Sequence, residues 1–531
     1  MLHAIIFVTG GAVLALELLA SRVMMPYFGV SLYIWTGILS ITLVALALGY
    51  WAGGLLAAGR PKRALSPDAL TRLFFTMPAA ASAAVVAASL AYPHLFPWLA
   101  RYDLVSGAFL AGIVLLFVPL VATSAMNPLL VAILLARTAR KAGDAGAGRV
   151  FFVSTLGSVA GVLVTAFGLI PNLTNFTSLL VIAVVLAVLP FGALTVSPRP
   201  GWFTAVAIAV IATSAGMLWK ADAYTARMWP VDYNGARWRI EAVASSLFGT
   251  VKVLKSDPLG ADGRFVRVYF HDGLIQNRVV SDGRSLSFYT YALEALARSY
   301  RPDMRSALML GLGAGVVPMR LARGGVAVDV VDIDPVSFAI AQRYFGFEPR
   351  RVTAHLQDAR TYLRGCGKRY DVILVDLFHG DGVPEYLLTR EFFADIKACL
   401  GSGGVAAFNG FVDPSEPAAY AHFLVTLRAE LPAITVYRPP DHGGGYINSF
   451  AVAAAEALAD PLPRVPDDVI APHAETLAAM LRRPRGLDAA LLGSGAIVTD
   501  ARNAGARETA RAQLTYRRTV VEELPAAFLL N

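Results

Sequence analysis

The first 219 residues are long apolar runs separated by short polar or basic breaks; beyond Lys220 the runs shorten and charged positions interleave with them. A helix that crosses a bilayer needs about 20 predominantly apolar residues. Runs of that order lie at 3–24, 33–57, 73–92, 104–135, 149–170, 176–195 and 202–219, predicting an α-helical multi-pass membrane domain of about seven helices over residues 1–219. The fourth run contains Pro119, Asn127 and Pro128, which predicts a kinked or partly re-entrant path. Gly10, Gly11, Gly157 and Gly161 predict close helix packing, and Tyr33, Trp35 and Trp51 read as interface anchors. Glu17 and Arg22 interrupt the first run. Charges at that depth either pair internally to fix packing or serve function, and Glu17 is a candidate to line a site for a cationic small molecule. The same two charges, and the further apolar runs behind them, predict a mature helix rather than a cleaved leader.

In the second half the periodicity changes twice. Residues 220–235 read as a connector. From Arg237 to Val280 apolar and polar positions alternate, as in Phe248-Gly-Thr-Val-Lys-Val-Leu and Phe265-Val-Arg-Val-Tyr-Phe. Turn signals at Asp257–Arg264 and His271-Asp272-Gly273 complete a small antiparallel β-domain, expected over residues 236–300. From Ala307 onward, strands at 307–310, 326–331, 352–356, 371–375 and 404–409 alternate with helices at 315–323, 335–345 and 389–400. That alternation predicts a parallel sheet with helices on both faces, an α/β Rossmann-like domain over 301–531. Ligands of such sheets bind beyond the carboxyl ends of the strands. The first strand ends in Gly311-x-Gly313-x-Gly315, which lets backbone approach a ligand closely. Asp332, Asp334, Asp358 and Asp376 stand at or near later strand ends. One such Asp is as readily a helix cap. Several in succession behind a glycine turn point to nucleoside-cofactor chemistry, with acids placed to accept hydrogen bonds from ribose hydroxyls. Val316-Val-Pro after Gly315 departs from the full dinucleotide fingerprint, which argues against NAD.

Composition sharpens this division. The chain is 531 residues long, 56% hydrophobic and 16% charged, against roughly 25% charged in a soluble domain. Its net charge is +8, and much of the basic excess sits in short loops: Arg60, Lys62, Arg63 and Arg72; Arg137, Arg140, Lys141 and Arg149; Arg199. This pattern places those loops on the cytoplasmic side of an inner membrane. No basic-aromatic strip of the kind that binds single-stranded nucleic acid is present, so no nucleic-acid partner is expected. Cys366 and Cys399 form neither a metal-ligand spacing nor a disulfide framework, and no metal is expected. Seven spans with those loops inside would carry the soluble half outward, whereas a nucleoside cofactor is cytoplasmic. A cytoplasmic soluble half is the favoured expectation; it requires the fourth run to break the parity or one segment not to cross, and an external domain stays open.

His271-Asp-Gly-Leu-Ile-Gln276, the glycine turn of 307–315, Asp332-Ile-Asp334, Gln357-Asp358 and Asp371-Val-Ile-Leu-Val-Asp376 follow the order seen in spermidine synthases, the polyamine aminopropyltransferases, which this half resembles. Ala15-Leu-Glu-Leu, Ser21-Arg22, Pro26-Tyr-Phe-Gly and Gly49-Tyr-Trp-Ala-Gly-Gly resemble the membrane part of fused membrane/spermidine-synthase-like proteins. The resemblance implies a fold like that of S-adenosylmethionine methyltransferases. It implies transfer of an aminopropyl group from decarboxylated S-adenosylmethionine, as co-substrate, to an amine such as putrescine, with no prosthetic group. On that match Asp376 is the catalytic base, Asp332 holds the ribose and Asp358 the adenine amino group. Gln276, Gly311, Gly313 and Gly315 line the donor site, and Tyr289, Tyr291, His379 and Asp381 the amine side. The family's acid in the glycine loop is replaced by Ala314, its second Asp after the fourth strand by His379, with Asp381 displaced, and the acid two residues after its Tyr by Tyr291. These losses weaken recognition of a diamine. Two alternatives stay open: an S-adenosylmethionine-dependent methyltransferase acting on a small amine, and a transporter or sensor that binds a nucleoside or polyamine without turnover. The expected partners are a small amine and the lipid bilayer; a homodimer through the soluble half is compatible with this reading.

Overall fold

The computed structural model describes residues 1–29, 31–58, 65–137, 143–195, 202–219, 228–260, 262–378, 382–412, 417–440 and 447–530. The chain divides into two units, Met1–Pro230 with Val521–Asn531, and Val231–Val520.

The first unit is helical. Among the described residues, seven helices are long and apolar enough to cross a bilayer: Leu2–Phe28, Tyr33–Ala58, Pro67–Tyr102, Leu104–Ala136, Gly146–Asn172, Asn175–Leu194 and Trp202–Trp219. The first and fifth touch through glycines. A side chain at Gly10, Gly157 or Gly161 would overlap the facing backbone, and Ser158 Oγ donates to the Gly10 carbonyl at 2.9 Å. Large apolar side chains such as Leu43, Trp51, Phe152 and Phe167 point outward, each more than 60% exposed. The fourth run is not re-entrant: it stays helical, passing through a π-turn at Ile113–Phe117 before continuing as Val118–Arg137. Proline has no N–H and its ring clashes with the carbonyl four residues back. For Pro119 that carbonyl belongs to Leu115, inside the π-turn. Pro171 comes after a second π-turn, Thr165–Leu169, in the same way. The wider turns give the proline rings room without ending the helix.

The second unit holds two sheets. The smaller is an antiparallel meander, β1 (Val231–Tyr233), β2 (Ala236–Ser246), β3 (Gly249–Ser256), β4 (Val266–His271) and β5 (Leu274–Val280), with each strand beside the next in sequence. Asp272 and Gly273 adopt positive φ in the tight turn between β4 and β5, as His271-Asp272-Gly273 suggested. Helix Phe288–Tyr300, expected within the small β-domain, belongs to the larger layer. Its Tyr291, Leu293 and Leu296 are buried with Met309, Val330 and Leu374 of the second sheet.

That sheet has seven strands in the order β11-β12-β10-β9-β6-β7-β8: β6 (Ser306–Leu310), β7 (Ala327–Asp332), β8 (Thr353–Leu356), β9 (Tyr370–Val375), β10 (Leu400–Val412), β11 (Ala433–Tyr437) and β12 (Ile447–Ala454). Strands β8, β7, β6, β9 and β10 run parallel. The wholly parallel sheet expected from the βα alternation is corrected at one edge, where β12 runs antiparallel to both β10 and β11. Strands after the last βα unit can pair without a crossover helix, so the alternation does not constrain them. Central strands are apolar on both faces. Ala307 and Met309 pack toward helix Phe288–Tyr300, while Leu308 and Leu310 pack with Phe392, Phe393 and Ile396.

Candidate active site

The parallel register brings four strand ends level. Leu310 lies opposite Val331 on one side and Val375 on the other, and Asp332 opposite Leu356. Hydrogen bonds continue past the strand ends: Gly311 N–H to the Val331 carbonyl at 2.8 Å, Asp376 N–H to Leu310 at 3.0 Å, and Gln357 N–H to Asp332 at 3.1 Å. The glycine turn is therefore wedged between two acidic strand tips. Gly311 has φ 91°, and a Cβ there would overlap the main-chain carbonyl of Asp376. Only glycine meets both demands.

Beyond these tips opens a cavity of about 340 Å³, lined by Gly311, Gly313, Asp332, Asp358, Asp376, Gln276 and Tyr289 together with residues that the sequence did not single out. It falls within the range of small-molecule pockets. Asp332 Oδ2 accepts from Leu312 N–H at 2.9 Å and its Oδ1 from Asp334 N–H at 2.8 Å, which aims the carboxylate along the floor. Burial pushes Asp332 up to about 6, against the pull of those two amides. Asp334 also lines the cavity, but one of its oxygens caps helix Pro335–Tyr344 through Val336 N–H at 2.9 Å. Asp358 does two things: Oδ1 caps helix Ala359–Arg364 through Thr361 N–H at 2.8 Å, and Oδ2 accepts from Tyr386 at 3.1 Å. Arg360 ties this wall to Asp500 through bonds of 2.8 and 2.5 Å and also donates to the Tyr386 carbonyl at 3.1 Å.

Asp376 stands at the tip of β9, between the glycine turn and β10. Burial pushes its carboxyl up to about 6, while hydrogen bonds from Asn409 and Tyr289 draw it the other way. Asn409 Nδ2 reaches Asp376 Oδ1 at 2.8 Å. The Tyr289 hydroxyl accepts from Asn277 Nδ2 and is thereby oriented to donate to Asp376. The result is a carboxylate held by two neutral donors, with no cation bonded to it among the described residues, and ionised at neutral pH. It can take a proton from a cationic group brought beside it.

Two expected site residues lie elsewhere. Tyr291 is fully buried in the core; its hydroxyl donates to the Ser285 carbonyl at 2.9 Å and its ring lies under the Arg320 guanidinium. On a helix, positions two apart point in different directions, so Tyr289 and Tyr291 cannot both face one pocket. Gly315 enters helix Val316–Arg323 at φ 74°, against Phe347, rather than lining the cavity. His379 and Asp381 lie outside the described residues. Reasoning from the sequence missed Asn409, Asn277, His271, Tyr386 and Ile333. Asn409 carried a signal, a lone amide ending the apolar stretch Val405-Ala-Ala-Phe. Ile333 and His271 lie inside motifs quoted above, Asp332-Ile-Asp334 and His271-Asp-Gly-Leu-Ile-Gln276, without having been given a role; Asn277 and Tyr386 are brought in by chain crossings with no local pattern. Ala314 is buried with Val251, Val253 and Ile340, so its methyl seals the glycine turn against the small sheet.

A glycine turn wedged between acidic tips at the open edge of a mainly parallel sheet defines a Rossmann-like domain of the nucleoside-binding class. Residues 286–420 match the family described as the spermine/spermidine synthase domain. The chain is 38% identical over 154 residues to a polyamine aminopropyltransferase of Vibrio vulnificus, covering 28% of this chain and 50% of that protein. It is 32% identical over 151 residues to an N-terminal histidine N-methyltransferase of Emericella nidulans, covering 27% of each. The chain thus spans half or less of the length of these two relatives. Among solved structures it is similar to spermidine synthase from Thermotoga maritima, at 16% identity and a TM-score of 0.37, covering 48% of this chain and 88% of that one.

Proposed function

We propose that this protein is a membrane-bound aminopropyltransferase of the spermidine-synthase type, moving an aminopropyl group from decarboxylated S-adenosylmethionine to an amine. The observation that carries the reading is Asp376: a buried carboxylate at a strand tip, held by Asn409 and Tyr289, in the same cavity as Asp332 and Asp358. Asp332 takes the ribose hydroxyls, Asp358 the adenine amino group, and Gln276 the remainder of the donor. Ile333, 39% exposed at the cavity edge, offers an apolar face to the base.

The chemistry needs little else. The carbon beside a sulfonium is electrophilic, and a neutral amine displaces methylthioadenosine from it. At neutral pH the amine arrives as ammonium. Asp376 takes one proton, and the freed lone pair forms the new C–N bond. The C–S bond breaks, its electron pair staying on sulfur, and the product is a secondary ammonium. The remaining demand is alignment of nitrogen, carbon and sulfur.

The helical unit is read as the membrane anchor on its seven apolar helices and their outward-facing side chains. Seven crossings with the basic loops inside would carry the catalytic unit outward, whereas its donor is cytoplasmic; the catalytic unit is assigned to the cytoplasm on the location of the donor, and protease accessibility in sealed vesicles decides between the two. Full-length protein given decarboxylated S-adenosylmethionine and a panel of amines should release methylthioadenosine, detected by mass spectrometry. No release with any amine would overturn the proposal. Release of S-adenosylhomocysteine from S-adenosylmethionine instead would select the methyltransferase reading, which the neutral Ala314 favours.

A further inference from the structure

Beyond β9 part of the cavity wall is a single turn, Glu385–Leu387, with Leu387 N–H donating to the Pro384 carbonyl at 2.9 Å and Leu388 N–H to the Glu385 carbonyl at 3.0 Å. The start of helix Ala359–Arg364, with its cap Asp358, holds the middle residue of that turn at both ends. Asp358 accepts from the Tyr386 hydroxyl at 3.1 Å, and Arg360 Nη1 donates to the Tyr386 main-chain carbonyl at 3.1 Å. Arg360 is 7% exposed and makes a two-pronged pair with Asp500, Nη1 to Oδ1 at 2.8 Å and Nη2 to Oδ2 at 2.5 Å. Asp500 is fixed in turn. Its N–H donates to Glu391 at 3.0 Å, and the nearby Val498 carbonyl accepts from Arg390 N–H at 2.9 Å. A segment beyond the family-matched residues 286–420 thus braces the cavity wall. What the brace holds is a ring. Tyr386 lines the cavity and is 47% exposed, although its hydroxyl and its carbonyl are both engaged. Burial, and then Asp358 beside it, pushes the phenol up to about 12, so it stays a donor at neutral pH.

We propose that Tyr386 binds the base of the adenosyl donor, packing its ring against it, and that Arg360 and Asp500 are the positioning residues that keep the ring there. This rests on the reading above that the cavity takes an adenosyl compound with Asp358 at the amino group, and adds a residue to that site. Ring and base then share one carboxylate. The phenol oxygen is 3.1 Å from Asp358 Oδ2, and an amino nitrogen bonded to the same group sits at about 2.9 Å, so the two planar groups meet in van der Waals contact. Because the hydroxyl donates, Asp358 remains an acceptor toward the base. An aromatic ring against a base is worth about tenfold or more in affinity. That gain is full only for a ring already in place, since ordering a loose side chain on binding takes part of it back. Arg360, locked to Asp500, removes that loss by holding the main chain from which the ring projects.

Calorimetry with methylthioadenosine and the full-length protein in detergent tests this without turnover. Tyr386→Ala should weaken binding at least about tenfold. Tyr386→Phe keeps the ring, and its lost bond to Asp358 is lost from the free and bound protein alike, so it should weaken binding no more than about threefold. Asp500→Ala should weaken binding about fivefold in the wild type and not at all on top of Tyr386→Ala, because a brace acts only through what it holds. If Asp500→Ala does not fold, the two variants at position 386 decide alone. Binding by Tyr386→Ala within about threefold of wild type overturns the proposal and leaves the adenosyl reading standing. A loss in Tyr386→Phe as large as in Tyr386→Ala overturns the ring contact, and an equal effect of Asp500→Ala in both backgrounds overturns the brace. No binding of methylthioadenosine by the wild type overturns the adenosyl reading itself, and this inference with it.

Discussion

Replacing Asp376 by Asn should stabilise the protein at pH 8 while removing its activity. Burial raises the Asp376 carboxyl from the ordinary 3.8 to about 6. The folded state therefore binds this proton more tightly than the unfolded chain does. The stability linked to it is complete below about pH 4 and is lost as pH rises through 6. About two units at 1.36 kcal/mol each makes the loss about 3 kcal/mol at pH 8. A neutral amide carries no such penalty, and its oxygen can still accept from Asn409 at the observed 2.8 Å. The amide nitrogen cannot accept from Tyr289, which costs about 1 kcal/mol. The net expectation for Asp376→Asn is a gain of about 1–2 kcal/mol at pH 8 and a loss of about 1 kcal/mol at pH 4. In thermal unfolding of the full-length protein in detergent, that is a rise of a few degrees at the alkaline pH and a fall at the acid one. Methylthioadenosine release should drop about 10²- to 10⁴-fold. A variant that melts lower than wild type at pH 8, or by the same margin at both pH values, would show that Asp376 is not a strained buried charge. The case for it as base would then lose its physical footing.

The two tyrosines of helix Phe288–Tyr300 should separate cleanly. Tyr289→Phe removes a donor that holds Asp376 ionised; at about 1.5–3 kcal/mol for a bond to a charge, the acid limb of the pH–rate profile should move from near 6 to about 7–8. Tyr291→Phe loses only its bond to Ser285, so the limb should stay put and stability fall by about 1 kcal/mol; a shifted limb in this variant contradicts the placement of Tyr291 in the core. Gly311→Ala drives a methyl into the Asp376 carbonyl at a positive φ. It should cost about 2–4 kcal/mol of stability and weaken donor binding at least about tenfold, read by calorimetry with methylthioadenosine; unchanged binding would mean that the turn and the strand tip are not locked together.

Legibility in the sequence divides along the line between local and non-local causes. The apolar runs gave the long helices because a span is a property of one contiguous stretch. Gly311 and the tip acids were legible because a βα unit fixes the turn at the end of each strand. Tyr291 misled because a resemblance carries residue type without side-chain direction, and the helix turned it into the core. Asn409 and Asn277 went unread as partners of the base. One sits on β10 and the other on β5, and no local rule links either to Asp376 before the chain has folded. The antiparallel β12 lay beyond the last βα repeat, where the alternation no longer constrains strand direction.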